Sequence, residues 1–279
     1  MFRTVSDSLW AFDIEWVPDS LAGKLLYALP SITDERSVFE VMWKNGGATE
    51  EDPTPYLKTA LCKIVSLSAL IRTVKNNEVT LSLRSLPNKE HPHEPQIIET
   101  FLNAVGKTKP QLVGFNSAEA DLRILIQRAL VHGIVAKDFC TRPDKPWSEG
   151  ADYFGKSNEQ NIDLKQILCG WGKSGHSLHE IAVLSGIPGK FETSGDEVWK
   201  LYLAGELEKI IQYNEFDAIT TYLVWLRLAN FGGHFSAEQY QAEQQRVEHL
   251  LLQEITKGKI HLGKYLEEWK RLKSLLPAA

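Results

Sequence analysis

Leu9-Trp10-Ala11-Phe12-Asp13-Ile14-Glu15-Trp16 decides how this chain is read. Its alternation is that of a β-strand, so Asp13 and Glu15 project from the same face. Two acids on one face of a buried strand are expensive unless a cation compensates them. The stretch therefore predicts a first strand over residues 8–17 and a charged site upon it.

Working outward, two more segments carry carboxylates in informative places. Leu207 to Ile219 has a helical pattern in which positions four apart stack, so Tyr213 and Asp217 point the same way. Pro110 to Asn116 reads as a short buried strand, followed by a helix from about Ala120 to His132 that Gly133 ends. Asp121 then falls in a first helical turn just beyond a strand end, where open α/β sheets place their sites.

Residues 18–60 hold Pro18, Pro30, Gly46-Gly47, Pro53 and Pro55 with acidic Glu50-Glu51-Asp52, which predicts a loop-rich insertion with one short helix. Lys63 to Ile71 and Glu78 to Leu83 read as strands joined by a turn at Lys75-Asn76-Asn77, a hairpin. A helix over Glu94 to Val105 enters through Pro95 and is closed by Gly106. Residues 136–160 read as irregular. Helices follow over 163–168, 177–184, 197–203 and 207–229, then a helical tail from Ser236 to Leu276. In that tail Leu262, Leu266, Trp269 and Leu272 form an apolar stripe, which either docks on its own domain or meets a partner.

The 279 residues suffice for one large domain with an appended piece. A net charge of −5 argues against a protein that coats nucleic acid through bulk electrostatics, though not against an enzyme acting on it. Cys62, Cys140 and Cys169 are far apart and form no CxxC pair, so they read as small buried hydrophobes rather than a disulfide or zinc framework. No apolar run is long enough to cross a bilayer and no signal-like segment opens the chain, so the expected address is cytoplasmic, with no membrane partner.

Phosphodiester hydrolysis needs an activated water and a stabilised leaving oxygen, which two hard divalent ions can supply. Such ions prefer oxygen ligands, and Asp13, Glu15, Asp121 and Asp217 fit that need. A tyrosine one turn before Asp217 could hold the attacking water. Singly, each cluster is common in ordinary structural roles; their order along the chain points to chemistry.

Phe12-Asp13-Ile14-Glu15, Leu112-Val113-Gly114-Phe115-Asn116-Ser117 leading to Asp121, Asn161-Ile162-Asp163-Leu164, Ser177 to Ala182 with Gly186-Ile187-Pro188-Gly189-Lys190, and Tyr213-Asn214-Glu215-Phe216-Asp217 together carry a resemblance. From about residue 8 to 232 the chain resembles the tyrosine subclass of DEDD-type 3′-to-5′ exonucleases. More narrowly, it resembles the predicted exonucleases related to the exonuclease domain of family B DNA polymerases. The resemblance implies an α/β, ribonuclease-H-like fold: a mixed five-stranded sheet flanked by helices, with a helix-rich C-terminal half. It implies a domain over 1–232, including the 18–60 insertion, and a helical extension over 233–279.

The resemblance also implies two cations, Mg²⁺ or Mn²⁺, with Asp13, Glu15 and Asp217 on the one that binds the water and Asp13 shared with the second. Asp121 acts on the second, directly or through water, and Tyr213 orients the water. The sister subclass carries a histidine at the position of Gln212. Asp121 is preferred to neighbouring Glu119 because it keeps the family's spacing to Leu122 and Leu125. The chain departs at Ala120, where the family usually has Phe or Tyr, so one ring near the substrate is absent.

Asn116 either contacts substrate or fixes its loop, Asp163 reads as a helix N-cap, and His176 and His179 as surface or packing residues. Lys173 and Lys190 are candidate phosphate contacts. The implied reaction is stepwise hydrolysis of single-stranded nucleic acid with a free 3′ end, DNA before RNA, to nucleoside 5′-monophosphates. The alternatives are an exoribonuclease and a binding or scaffold module. Any proofreading would serve a separate polymerase, with the tail helix as the place of contact.

Overall fold

Odd- and even-numbered residues of the first strand face two different cores, and the rest of the chain is arranged around that division. The computed structural model describes residues 1–145, 150–155, 159–170, 175–191 and 197–276. Strand β1 spans Ser8–Pro18, β2 Cys62–Lys75, β3 Glu78–Leu86, β4 Gln111–Gly114 and β5 Asn161–Asp163. They form one sheet in the order β3-β2-β1-β4-β5. The first three run antiparallel to one another, while β4 is parallel to β1 and β5 to β4. This is the mixed five-stranded sheet expected from the sequence, flanked by helices. The predicted hairpin is present, with Asn76 and Asn77 both at positive φ and Lys75 paired to Glu78.

The even-numbered Trp10, Phe12 and Ile14 pack in one cluster with α3 (Glu94–Thr108) and α4 (Asp121–Val131). On the other side, Leu9 and Ala11 join the cluster of α9 (Leu207–Phe231), α10 (Ala237–Thr256) and α11 (Leu262–Leu275). Asp13 and Glu15 continue this second row. The long helix α9 therefore lies across the sheet face that bears the acids.

The insertion is more ordered than its composition suggests. It holds two helices, α1 (Ser20–Leu26) and α2 (Glu35–Asn45), rather than one. Asp19 and Asp34 cap them by accepting from Leu21 N and Ser37 N, and Val38, Phe39, Met42 and Trp43 bury one helical face. Gly106 does not close α3: the helix runs on to Thr108 and ends at Lys109 in the left-handed region. Its missing side chain instead admits the short helix α5 (Lys137–Cys140), since a Cβ there would sit 2.7 Å from Phe139 N. The three-residue β5 is too short to leave a periodic signal. Of the cysteines only Cys62 is buried; Cys140 is exposed and Cys169 half-buried, because both lie at helix ends rather than on inward faces.

Leu262, Leu266 and Trp269 of α11 are buried within the core that α9 and α10 share, and Leu272 is buried as well, so the stripe docks on its own chain. Fully burying side chains of this size stabilises by roughly 1.5–3 kcal/mol each. Two further links fix the layer. Arg72 of β2 donates to buried Glu243 of α10 at 2.8 Å, and Tyr222 of α9 donates to the same carboxylate at 3.0 Å.

Candidate active site

The parallel pairing of β4 with β1 stops at Val113 and Ala11, and β1 continues past it with Asp13 and Glu15. The β1–β2 register shifts between Glu15 and Trp16, a bulge of the kind that re-aims side chains next to sites. Helix α9 crosses at this level, its turn from Tyr213 to Asp217 buried against the strand. Carboxylate oxygens of Asp13, Glu15 and Asp217 lie within 4.8 Å of one another. Asp121, the first residue of α4, is buried beside them and accepts from the backbone N–H of Ile14. Glu119, its rival in the sequence, is exposed.

The acids burden one another. Burial, then the charges of Glu15, Asp121 and Asp217, hold the Asp13 carboxyl well above the usual range. Burial and the charges of Asp217 and Asp121 do the same to Glu15, against the Lys190 ammonium. Burial pushes Asp121 up to about 7, with Asp163 adding to the shift. Burial pushes Asp217 up to about 6, opposed by a hydrogen bond from the Tyr213 hydroxyl and by Lys190. Tyr213 is itself pushed up by burial and by the adjoining carboxylates, so it remains a neutral donor. An all-oxygen, acidic, converging donor set of this kind suits a hard divalent cation.

The acids line a cavity of about 470 Å³. Its remaining wall carries Trp16, Trp43, Tyr56, Phe115 and Trp199, and Lys165, His176 and Lys190 add polar groups. The insertion supplies Trp43 and Tyr56, and the Trp43 and Trp199 rings meet edge to face at 4.7 Å. Ala120 also lines the cavity.

Asn116 lines it too, at positive φ, with its N–H donating to Asp163 Oδ1 at 2.9 Å. Asp163 caps α6 (Leu164–Cys169) as expected, and also accepts from Ala118 N at 3.0 Å, tying the β4–α4 loop to the cap. His179, on α7 (Leu178–Leu184), does more than pack, because its Nδ1 accepts from Lys190 N at 2.9 Å and so holds the corner that presents Lys190. Lys173 lies outside the described residues.

Sequence reasoning missed Asn214 and Ser66. Asn214 Nδ2 donates to Asp13 Oδ2 at 2.7 Å, and Ser66 Oγ donates to Asn214 Oδ1 at 3.0 Å. The signal was present: Ser66 and Ser68 alternate with apolar residues in a strand buried on both faces, so polar side chains there needed a partner.

The pattern of one protein family, described as a predicted 3′-5′ exonuclease related to the exonuclease domain of PolB, matches residues 54–269. That span contains Asp121, Tyr213 and Asp217, whereas Asp13 and Glu15 precede it. Among curated proteins there is no match. Among solved structures the chain is similar to the family B DNA polymerase from the hyperthermophilic archaeon Pyrobaculum calidifontis, with 16% identity and a TM-score of 0.48. The similarity covers 88% of this chain and 28% of the polymerase chain. Among the described residues no helix is long and apolar enough to cross a membrane.

Proposed function

Because the chain belongs to the family of predicted 3′-5′ exonucleases related to the exonuclease domain of PolB, we propose that it hydrolyses single-stranded nucleic acid, DNA before RNA, stepwise from a free 3′ end. The products are nucleoside 5′-monophosphates. The observation that carries this reading is the convergence of Asp13, Glu15 and Asp217 from a strand and a distant helix, with the Tyr213 hydroxyl bonded to Asp217.

Asp13, Glu15 and Asp217 would hold one divalent cation, Mg²⁺ or Mn²⁺, and Asp121 with Asp13 a second. Such a pair supplies a water acidified to near-neutral pKa and charge stabilisation at the leaving oxygen. The residues themselves do the positioning. Tyr213, kept neutral, is placed to orient the attacking water through its hydroxyl. Lys190, held by His179, is placed to meet a phosphate oxygen, and its charge already acts on Glu15 and Asp217. The rings of Trp16, Tyr56 and Phe115 offer stacking surfaces for terminal bases, which requires no particular sequence. Asn116 is held by its backbone at the cavity edge, within the substrate's path.

The test uses 5′-labelled single-stranded DNA and RNA of one sequence, with Mg²⁺ or Mn²⁺. A ladder shortening from the 3′ end, stopped by EDTA and by Asp13→Ala or Asp217→Ala, is the expected result. Faster loss of RNA than DNA would make the enzyme an exoribonuclease. Binding without metal-dependent cleavage of either polymer would leave a scaffold.

A further inference from the structure

Asn214 stands between Tyr213 and Asp217 on α9, yet its side chain points into the sheet and is fully buried. An ionised carboxylate only accepts hydrogen bonds, so the nitrogen end of the Asn214 amide has to face Asp13. Its oxygen end is thereby turned to Ser66, whose hydroxyl donates to it at 3.0 Å and also reaches the Leu86 carbonyl at 3.2 Å. Ser66 sits opposite Glu15 in the β1–β2 ladder, so the anchor is the sheet itself. We propose that Asn214, oriented by Ser66, is a positioning residue that fixes the Asp13 carboxylate for cation binding. The inference rests on the reading of the acid cluster as a divalent-cation centre.

The chemistry explains why an amide serves here. Asp13 lies among Glu15, Asp121 and Asp217, all of the same charge, and without a restraint these repulsions would swing it aside. A Lys or Arg could hold it, but a fixed positive charge would compete with the cation. The neutral amide holds one oxygen without adding charge. With Oδ2 tied, turning the carboxylate about χ2 costs that hydrogen bond, which favours one place for its other oxygen relative to Glu15 and Asp217. Outer groups that orient metal-binding carboxylates typically matter 10–100-fold in affinity.

Mn²⁺ binding to the 279-residue chain is measured at pH 7.5 from the EPR signal of free Mn²⁺, for wild type, Asn214→Ala, Ser66→Ala and the double variant. Thermal unfolding in EDTA is recorded in parallel. Asn214→Ala is expected to weaken Mn²⁺ binding by about 10- to 100-fold. Ser66→Ala should weaken it less and add little on top of Asn214→Ala, because both act through one chain of hydrogen bonds. A merely structural role would lower the EDTA melting temperature and leave the Mn²⁺ dissociation constant alone. Ser66→Ala removes a single buried oxygen and keeps the test decisive should Asn214→Ala fold poorly. Wild-type-like Mn²⁺ affinity, within twofold, in the folded variants overturns the inference while the cation centre stands. No Mn²⁺ binding by wild type removes the cation centre itself, and the inference with it.

Discussion

Glu215 and Asp217 are two residues apart on α9, both buried, and their surroundings treat them in opposite ways. Burial alone would raise Glu215, but His261, Lys259 and Ser85 outweigh it and hold that carboxyl below its usual range. The Ser85 hydroxyl donates at 2.5 Å, His261 Nε2 lies at 2.7 Å, and Lys259 completes the group. Asp217 is pushed up to about 6 by burial, against the Tyr213 hydroxyl and the Lys190 ammonium. Two helical positions differ by about 200° around the axis, so one helix serves two faces. The Glu215 face fastens the segment that joins α10 to α11. The Asp217 face gathers acids whose charge Lys190 only partly offsets. Other acids find partners as Glu215 does: buried Glu243 pairs with Arg72, buried Asp19 and half-buried Glu94 pair with Arg128, and buried Asp163 accepts from backbone N–H groups. Acids gathered in one cleft of a protein that pairs such groups elsewhere form the arrangement that a bound cation would relieve.

The comparison can be broken most directly at its paired side. Glu243→Ala strands the buried Arg72 guanidinium and should cost about 3–5 kcal/mol in urea unfolding. Glu215→Ala should cost less, since Lys259 is partly exposed and can turn to water. Unchanged stability in both would end the contrast. On the unpaired side the sign reverses. Asp217→Asn should cut 3′ hydrolysis by more than about a hundredfold, at least what losing an outer-shell partner costs. In EDTA it should also unfold later, by about 1 kcal/mol, as one repulsion is removed. A lower melting temperature in EDTA would show that Asp217 stabilises the fold after all.

A third prediction separates grip from chemistry. Tyr56 is 78% exposed at the cavity wall, so Tyr56→Ala should spare the fold. Loss of one stacked base is worth about 1–3 kcal/mol. KM for single strands should therefore rise about 5- to 150-fold, with kcat nearly unchanged; an unaltered KM would remove Tyr56 from the substrate path.

The smallest effect is the pH profile. Asp121 and Asp217 hold protons more tightly folded than unfolded, at about 7 and about 6. Their contribution to stability is thus present at low pH and lost as pH rises through 6 to 7. In EDTA the wild type should melt progressively earlier from pH 5.5 to 8 relative to a paired Asp121→Asn, Asp217→Asn variant. Saturating Mn²⁺ should shrink that difference, and more so at the alkaline end, because protons and the cation compete for the same oxygens. Parallel profiles with and without Mn²⁺ would contradict it.

The sequence by itself determined whatever depends on local geometry. Period two put Asp13 and Glu15 on one face, the 3.6-residue turn aligned Tyr213 with Asp217, and Asn76-Asn77 set the hairpin. Composition misled where packing overrides it: proline and glycine in residues 18–60 suggested loop, yet aspartate caps and a buried face from Val38 to Trp43 made two helices. Tertiary structure alone buries Asp121 beside the other acids and leaves Glu119 exposed, because burial depends on how α4 meets β1. It alone joined Ser66 to Asn214 and Asn214 to Asp13, partners 148 and 201 residues apart. It also packed the α11 stripe into the core that α9 and α10 share, leaving that face to its own chain. Local periodicity fixes which way a side chain points, but only the meeting of distant surfaces fixes what it meets.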